Sequence, residues 1–268
     1  MPELPEVDTI KKQLSHYLPL EITKVIQTPE LKKNILHTSL KLEGKIIQEI
    51  SRKGKMLIFT ISDNTKLLSH LGMTGTWLIG KNLQHAKHTH LILHSTDNIM
   101  LTYDDPRRFG HLYQLSPIKA LEKINSLGLD LADPTFNLEY LITSLQRYPE
   151  RLLKVTLLDQ KLFAGSGNYI ANEICARAKI LPTRPCKELK TSDYPKILQA
   201  IHDVITPAIQ SGGTTFQGGY RDTTGEKGQG LSHLVVFFQK ICKMCNKTPV
   251  KKILLAQRGT YFCPRCQQ

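Results

Sequence analysis

The 268-residue sequence has no uninterrupted apolar run approaching the roughly 18 residues that span a bilayer, which argues against a membrane-embedded chain. It also lacks a secretory start: Met1-Pro2-Glu3-Leu4-Pro5-Glu6 is acidic and proline-rich, where a signal peptide is basic and then apolar. Acidic side chains are scarce, 23 Asp and Glu against 36 Lys and Arg, giving a net charge of +13. That excess suits a polyanionic partner, because each neutralised phosphate releases counterions. A merely soluble basic protein carries the same balance, so charge alone does not choose between them. Cysteine is nearly absent before residue 242. Cys175 and Cys186 read as ordinary free thiols, and the other four fall within the last 27 residues. Such clustering favours a metal site in a reducing cytoplasm over a disulfide framework.

The hydrophobic fraction of 40% is enough for one large or two medium cores. A first helix is expected from Pro5 to just before Pro19, with Val7, Ile10, Leu14 and Tyr17 on its packed face. Residues 22–115 read mostly as strands (Ile46 to Ile50, Met56 to Ile61, Lys66 to His70, Thr89 to Leu93, Ile99 to Tyr103), punctuated by Gly, Asn and Asp as in an antiparallel sandwich. The pattern changes near Asp130-Leu131-Ala132-Asp133-Pro134. Helices are then expected over Leu138 to Arg147, Arg151 to Leu158, Tyr169 to Ala178 and Ser192 to Gln210, the last kinked at Pro207 and stopped by Gly212-Gly213. Residues 217–230 carry five glycines and read as a mobile loop. A short β-rich tail holds the cysteines. The predicted class is α+β: a β-sandwich domain over 1–130, a helical domain with the loop over 131–230 and a zinc finger over 231–268, with a cleft between the first two.

Cys242-x2-Cys245 and Cys263-x2-Cys266 stand 17 residues apart. Two such turns complete a closed tetrahedral shell of four thiolates, which predicts one structural rather than catalytic zinc. The intervening Ala256-Gln257-Arg258-Gly259-Thr260-Tyr261-Phe262 reads as a hairpin that aims Arg258 at a phosphate. At the other end, removal of Met1 would leave Pro2 with a secondary amine, able to attack a sugar C1′ and form an iminium without losing a second proton. A helix N-terminus beside it disfavours the protonated amine. Glu3 would serve as an acid toward the sugar, and Glu6 would hold the turn or relay protons. Glutamates at a helix start are also simply good caps, and local chemistry leaves both readings open.

Several motifs recur in order along the chain: Pro2-Glu3-Leu4-Pro5-Glu6, Ser51-Arg52-Lys53-Gly54-Lys55, His70-Leu71-Gly72-Met73-Thr74-Gly75 and Asp105-Pro106-Arg107-Arg108-Phe109-Gly110. Lys154 with Leu157-Leu158-Asp159-Gln160, Gly165-Ser166-Gly167-Asn168, Gly212-Gly213-Thr214-Thr215 and the cysteine-rich tail follow. As an ordered set they resemble the formamidopyrimidine-DNA glycosylases from end to end.

The resemblance implies a bifunctional repair enzyme of damaged double-stranded DNA, with a helix–two-turn–helix domain after the sandwich. Pro2 would be the Schiff-base nucleophile, Glu3 the proton donor, Lys55 (on the strand after Gly54) a phosphate and β-elimination residue, and Arg258 the δ-elimination residue. Met73, Arg107 and Phe109 would fill the gap left by a flipped nucleotide, whose extrusion costs stacking and pairing energy. His70, His88, Lys154 and Asn168 would contact the backbone, and Arg151 or Arg147 would replace a basic residue displaced by Pro149. A monomer in the bacterial cytoplasm, associated with the nucleoid, is implied.

Three departures stand out. Asn168-Tyr169-Ile170-Ala171 is nearer the related endonuclease VIII branch, whose substrates are oxidised pyrimidines. The finger spacing is one residue longer than usual, with Asn246-Lys247 in the first knuckle. The glycine-rich 217–230 loop puts base preference in question. A non-enzymatic zinc-ribbon DNA-binding protein is the competing class.

Overall fold

The computed structural model describes every residue except Met1, Asn82, Gln84, His85, Gln217 and Gly218. The chain divides into two compact units, Met1–Ser126 with Ser211–Gln229, and Leu127–Gln210 with Gly230–Gln268.

The first unit opens on helix α1 (Leu4–Ser15), followed by strands β1 (Leu20–Gln27), β2 (Lys45–Lys53), β3 (Met56–Ile61), β4 (Lys66–His70), β5 (Thr76–Gly80), β6 (Thr89–Ser95), β7 (Met100–Asp104) and β8 (His111–Leu115). Val7, Ile10 and Leu14 bury one stripe of α1 at helical spacing. Tyr17 falls outside the helix and is exposed, so the apolar face ends one turn earlier than expected. The eight strands form one antiparallel sheet in the order β5-β7-β6-β1-β2-β3-β4-β8. Trp77 on edge strand β5 packs on Phe59 of β3, with centroids 5.2 Å apart, and donates its indole N–H to Ser69 Oγ of β4 at 3.0 Å. Strands five and six places apart in the sheet therefore touch, which requires the sheet to fold over on itself. The sandwich is one sheet closed around Trp77, Phe59 and Tyr103.

Helix α2 (Pro117–Asn125) was not anticipated. Ser116-Pro117 is a normal helix start and the stretch is amphipathic, but only Ala120 is buried, while Ile118 and Leu121 are exposed.

Ser211–Gln229 belongs with the sandwich unit, not with the helices. Thr214 N donates to Glu6 Oε1 at 2.7 Å, and Thr223 N to Gln13 Oε1 at 3.0 Å, both on α1. The described residues of the expected mobile loop are thus hydrogen-bonded to a helix, with Tyr220 and Thr223 buried. Gln217 and Gly218 of that loop lie outside the described residues.

The second unit contains β9 (Leu129–Asp130), α3 (Leu138–Gln146), α4 (Leu153–Leu157), β10 (Phe163–Ala164), α5 (Asn168–Arg177), α6 (Asp193–Gln210), β11 (Lys251–Leu255) and β12 (Arg258–Phe262). Asn137 caps α3 by accepting Tyr140 N at 2.9 Å. Pro207 lies inside α6, which continues through it to Gln210. Glu173 on α5 is buried and accepts the N–H groups of Val235, Val236 and Phe237 at 2.7, 2.9 and 2.8 Å. One carboxylate thereby fixes the chain leading to the cysteine module.

Candidate active site and DNA-contact surfaces

Glu3 is the N-cap of α1 and Glu6 its third helical residue. Glu3 N donates to Glu6 Oε2 at 2.6 Å, and the return contact from the Glu3 side chain to the Glu6 N–H completes a capping box. Glu3 and Glu6 are 3% and 1% exposed, burial far beyond what capping demands. Glu6 spends its second oxygen on Thr214, and a Cβ at Gly213 would press on the Glu6 side chain, which explains that glycine; Gly212 takes φ 71°. Of its two expected roles, Glu6 is placed to hold the turn. Pro2, just ahead of this box, lines a pocket of about 310 Å³ together with Met73, Asp104, Tyr220 and Arg221.

Lys55 is not on a strand. It occupies the two-residue turn of the β2–β3 hairpin, where Lys53 pairs with Met56 and Gly54 takes φ 58°. Arg52 donates to the Gly54 carbonyl at 2.9 Å and lies 3.3 Å from Asp8 of α1, so the hairpin tip is tied to the helix that carries Glu3. Lys55 is buried. His70, at the end of β4, accepts Gly72 N through Nδ1 at 3.2 Å. Burial first, then the charges of Lys55, His111 and Lys123, hold its imidazole down at about 4. His70 is therefore a neutral group at working pH, able to act as a hydrogen-bond partner but not as a cation.

The sign of the linkage follows. An unfolded imidazole takes a proton near pH 6.5 and the folded one only near 4, so stability is full above 6.5 and falls as pH drops toward 4. The loss from this residue amounts to at most about 3 kcal/mol. Thermal melting of wild type and His70→Gln between pH 7 and 4 checks this: the variant should lose distinctly less stability over that window. Parallel curves would refute it.

Met73, Arg107 and Phe109 come together on one surface, although 34 residues separate Met73 from Arg107. The link is Asp105, fully buried, whose carboxylate accepts Thr74 Oγ1 at 2.6 Å and Gly110 N at 2.8 Å. Arg107 N in turn donates to Thr74 Oγ1 at 3.2 Å. A Cβ at Gly72 would collide with the Phe109 carbonyl, so glycine is what lets the two loops meet. Phe109 is 49% exposed and Met73 39%, with the Arg107 guanidinium 4.7 Å over the Phe109 ring. Exposed apolar side chains held on a rigid buried anchor are suited to insertion into something else. His88 is half-buried and its carbonyl accepts Asp105 N at 3.0 Å. The Thr74–Asp105 bond was missed from sequence, because nothing local marks a threonine and an aspartate 31 residues apart as partners.

In the second unit Lys154 is fully buried, its ammonium reaching Asn168 Oδ1 at 2.9 Å, Thr260 Oγ1 at 2.7 Å and the Gly259 carbonyl at 3.4 Å. Asn168 Nδ2 donates to the same carbonyl at 3.1 Å. This corrects the expectation of a direct backbone contact for Lys154: it pins the first residue of α5 to the β11–β12 hairpin. Arg151 is also engaged, 2.8 Å from Asp159 and stacked over Tyr148, while Arg147 is exposed. Arg258 is exposed at the start of β12, next to a two-residue turn in which Ala256 and Gln257 take φ 46° and 60°. Non-glycine residues at positive φ are strained, so the tip geometry is imposed by the hairpin and not by local preference.

The four sulfurs of Cys242, Cys245, Cys263 and Cys266 lie within 4.8 Å of one another, with two pairs at 4.0 Å. A tetrahedral zinc with bonds of about 2.3 Å sets its sulfurs about 3.8 Å apart, so the cluster fits. Backbone N–H groups of Lys247 and Thr248 bring the Cys245 thiol down to about 6, whereas burial and then the adjacent thiols push Cys266 up to about 12. Four thiolates this close require a cation among them. Asn246, at φ 53° with its N–H on the Cys242 carbonyl at 2.8 Å, absorbs the extra residue of the first knuckle. The module is built for one structural zinc.

Three family models match the chain: the formamidopyrimidine-DNA glycosylase N-terminal domain over residues 1–112, the H2TH domain of the same enzymes over 127–218, and the zinc finger found in FPG and IleRS over 247–268. Formamidopyrimidine-DNA glycosylases of Listeria innocua and Enterococcus faecalis are 36% and 35% identical, covering all of this chain and 100% and 98% of theirs. Among solved structures, the MutM (Fpg) protein of Thermus thermophilus superposes with TM-score 0.89 at 32% identity, over 99% of this chain and 98% of that one. Lactococcus lactis Fpg in complex with DNA containing an abasic site does so with 0.89 at 31%, over 99% of both chains. The endonuclease VIII cue, Tyr169, is buried 6.4 Å from the Phe237 ring, so the exchange of Tyr and Ile is a matter of core packing. The chain belongs to the formamidopyrimidine-DNA glycosylase family, whose members are base-excision-repair glycosylases of oxidised purines.

Proposed function

We propose that the chain excises 8-oxoguanine or a formamidopyrimidine from duplex DNA and then cuts the abasic strand by β,δ-elimination. The observation that carries the reading is Pro2, set at a pocket mouth immediately before a buried Glu3–Glu6 capping box. With Met1 removed, the Pro2 amine attacks C1′ as the base departs with its bonding electrons, Glu3 supplying a proton to the sugar. The resulting iminium acidifies the C2′ hydrogens, and loss of one expels the 3′ phosphate; a second elimination expels the 5′ phosphate. Lys55 holds phosphate and assists the first elimination, and Arg258 the second.

Met73, Phe109 and Arg107 occupy the space the flipped nucleotide leaves, Arg107 holding the widowed cytosine. Asn168 clamps a phosphate at the N-terminus of α5, held in place by Lys154, and His70, His88 and Arg151 add backbone contacts. The zinc is structural, with the Cys242, Cys245, Cys263 and Cys266 thiolates completing its shell, and the working form is a monomer in the bacterial cytoplasm at the nucleoid. Along the sequence the domains are drawn at 1–130, 131–230 and 231–268, with Ser211–Gln229 packed into the first compact unit.

Lactococcus lactis Fpg has also been captured with DNA containing an oxidised pyrimidine, so lesion range is the property to measure. Single-turnover excision from matched 8-oxoguanine and thymine glycol duplexes should favour the purine by at least about tenfold, or roughly 1.4 kcal/mol at the transition state. A preference for thymine glycol would overturn the substrate assignment.

A further inference from the structure

Gln13 sits on α1 seven residues after Glu6, two turns along the same face. Its side-chain amide makes three hydrogen bonds to one distant segment. Nε2 donates to Asp222 Oδ2 at 2.7 Å, while Oε1 accepts Thr223 N at 3.0 Å and Thr223 Oγ1 at 2.8 Å. Thr223 is buried, so removing Gln13 takes away the protein acceptor of both its donors.

The segment it holds is closed on itself. Asp222 Oδ1 accepts Thr224 N at 3.0 Å, Thr224 Oγ1 at 2.8 Å and Glu226 N at 2.8 Å, and Arg221 donates to the Gly225 carbonyl at 2.8 Å. On its other side it meets β5 through two longer bonds, Thr76 Oγ1 to the Arg221 carbonyl at 3.2 Å and Ile79 N to the Thr223 carbonyl at 3.3 Å. Tyr220, Arg221 and Gly225 of this segment line the pocket that Pro2 also lines. Helix α1, which starts two residues after Pro2, therefore also holds, through Gln13, the segment that supplies these other lining residues.

We infer that Gln13 is a positioning residue that, by holding Asp222 and Thr223, sets the Tyr220, Arg221 and Gly225 wall of the base pocket, and so governs excision of the base but not cleavage at a site already lacking one. The inference rests on the proposed glycosylase reading. An abasic sugar brings no base to the pocket, so its cleavage needs the amine and the acid but not the wall. Gln13 deepens the known reaction by separating its two halves.

The test uses Gln13→Ala, Gln13→Glu and the pair Gln13→Glu with Asp222→Asn, each in single turnover on an 8-oxoguanine duplex and on the same duplex with a preformed abasic site. Gln13→Ala and Gln13→Glu should slow excision about 10- to 100-fold while abasic cleavage stays within about twofold. Gln13→Glu sets two carboxylates against each other. Adding Asp222→Asn returns a donor to that contact, with Oδ1 still free to accept Thr224 and Glu226, and should restore excision. Equal loss on both duplexes, unchanged excision in Gln13→Ala, or no rescue by the pair would overturn the inference. The wild-type rate on 8-oxoguanine reports on the functional reading, and the variant-to-wild-type ratios report on Gln13, so the two fail separately.

Discussion

Pro2→Gly is expected to lower both base excision and abasic-strand cleavage by roughly a hundredfold or more, while leaving the fold intact. Glycine keeps an N-terminal amine and keeps a small second residue, so the variant differs in the amine alone. The pyrrolidine ring fixes the nitrogen at the entry to α1, where Glu3 N is already held by Glu6. A primary amine on a free glycine loses that placement, and misplacing a reacting atom by about 1 Å costs on the order of a hundredfold. It must also shed a proton from nitrogen that a secondary amine does not carry. The capping box uses the Glu3 backbone N–H and the two glutamates, none of which the substitution removes, so thermal melting should barely move. Single-turnover kinetics on both substrates, set beside a melting curve, would show this pattern. A variant with wild-type rates would mean that another nucleophile does the work.

The second large effect concerns the metal. Replacing Cys263 by Ser, or stripping the protein with a strong chelator, should remove one equivalent of zinc and unfold the β11–β12 hairpin. Structural zinc binding contributes on the order of 10–16 kcal/mol in small modules, more than a five-residue antiparallel pair holds by itself. The consequences extend along the hydrogen bonds already described. Lys154 would lose Thr260 and the Gly259 carbonyl, and its buried ammonium would be left on Asn168 alone among those partners. Asn168 and Arg258 are two of the phosphate contacts proposed for this unit, so duplex affinity should fall at least about tenfold, with a shallower salt dependence. The first unit has its own core around Trp77 and Phe59 and should keep a separate thermal transition. Metal content by elemental analysis and duplex binding by titration at two salt concentrations test this. A zinc-free protein with full affinity would contradict it.

Much of this was legible because the informative signals are local. The α1 stripe, the short apolar runs of β2 to β4 between turn residues, the cysteine spacing and the proline–glutamate start each lie within a few residues of sequence. What escaped depends on groups far apart. Closure of the sheet turns on Trp77 meeting Phe59 and Ser69 across strands that are not neighbours, which no periodicity reports. Lys154 reads as a surface cation until Asn168, Gly259 and Thr260 surround it. The 217–230 stretch reads as mobile because of its five glycines, yet its Asp222 and Thr223 are held by Gln13, some 200 residues earlier. In the site itself, the residue types at positions 2, 3, 6, 55 and 258 suggest chemistry, but the anchoring roles of Asp105 and Gln13 show only in three dimensions.

The central claim is that the amine of Pro2 bonds to the deoxyribose. It is tested most directly by reducing the reaction with borohydride on an 8-oxoguanine duplex and mapping the trapped adduct by peptide mass spectrometry. The account predicts one covalent complex, with the sugar on the nitrogen of Pro2 in a peptide that has lost Met1. An adduct on Lys55, or no adduct from a chain shown to begin at Pro2, would contradict it.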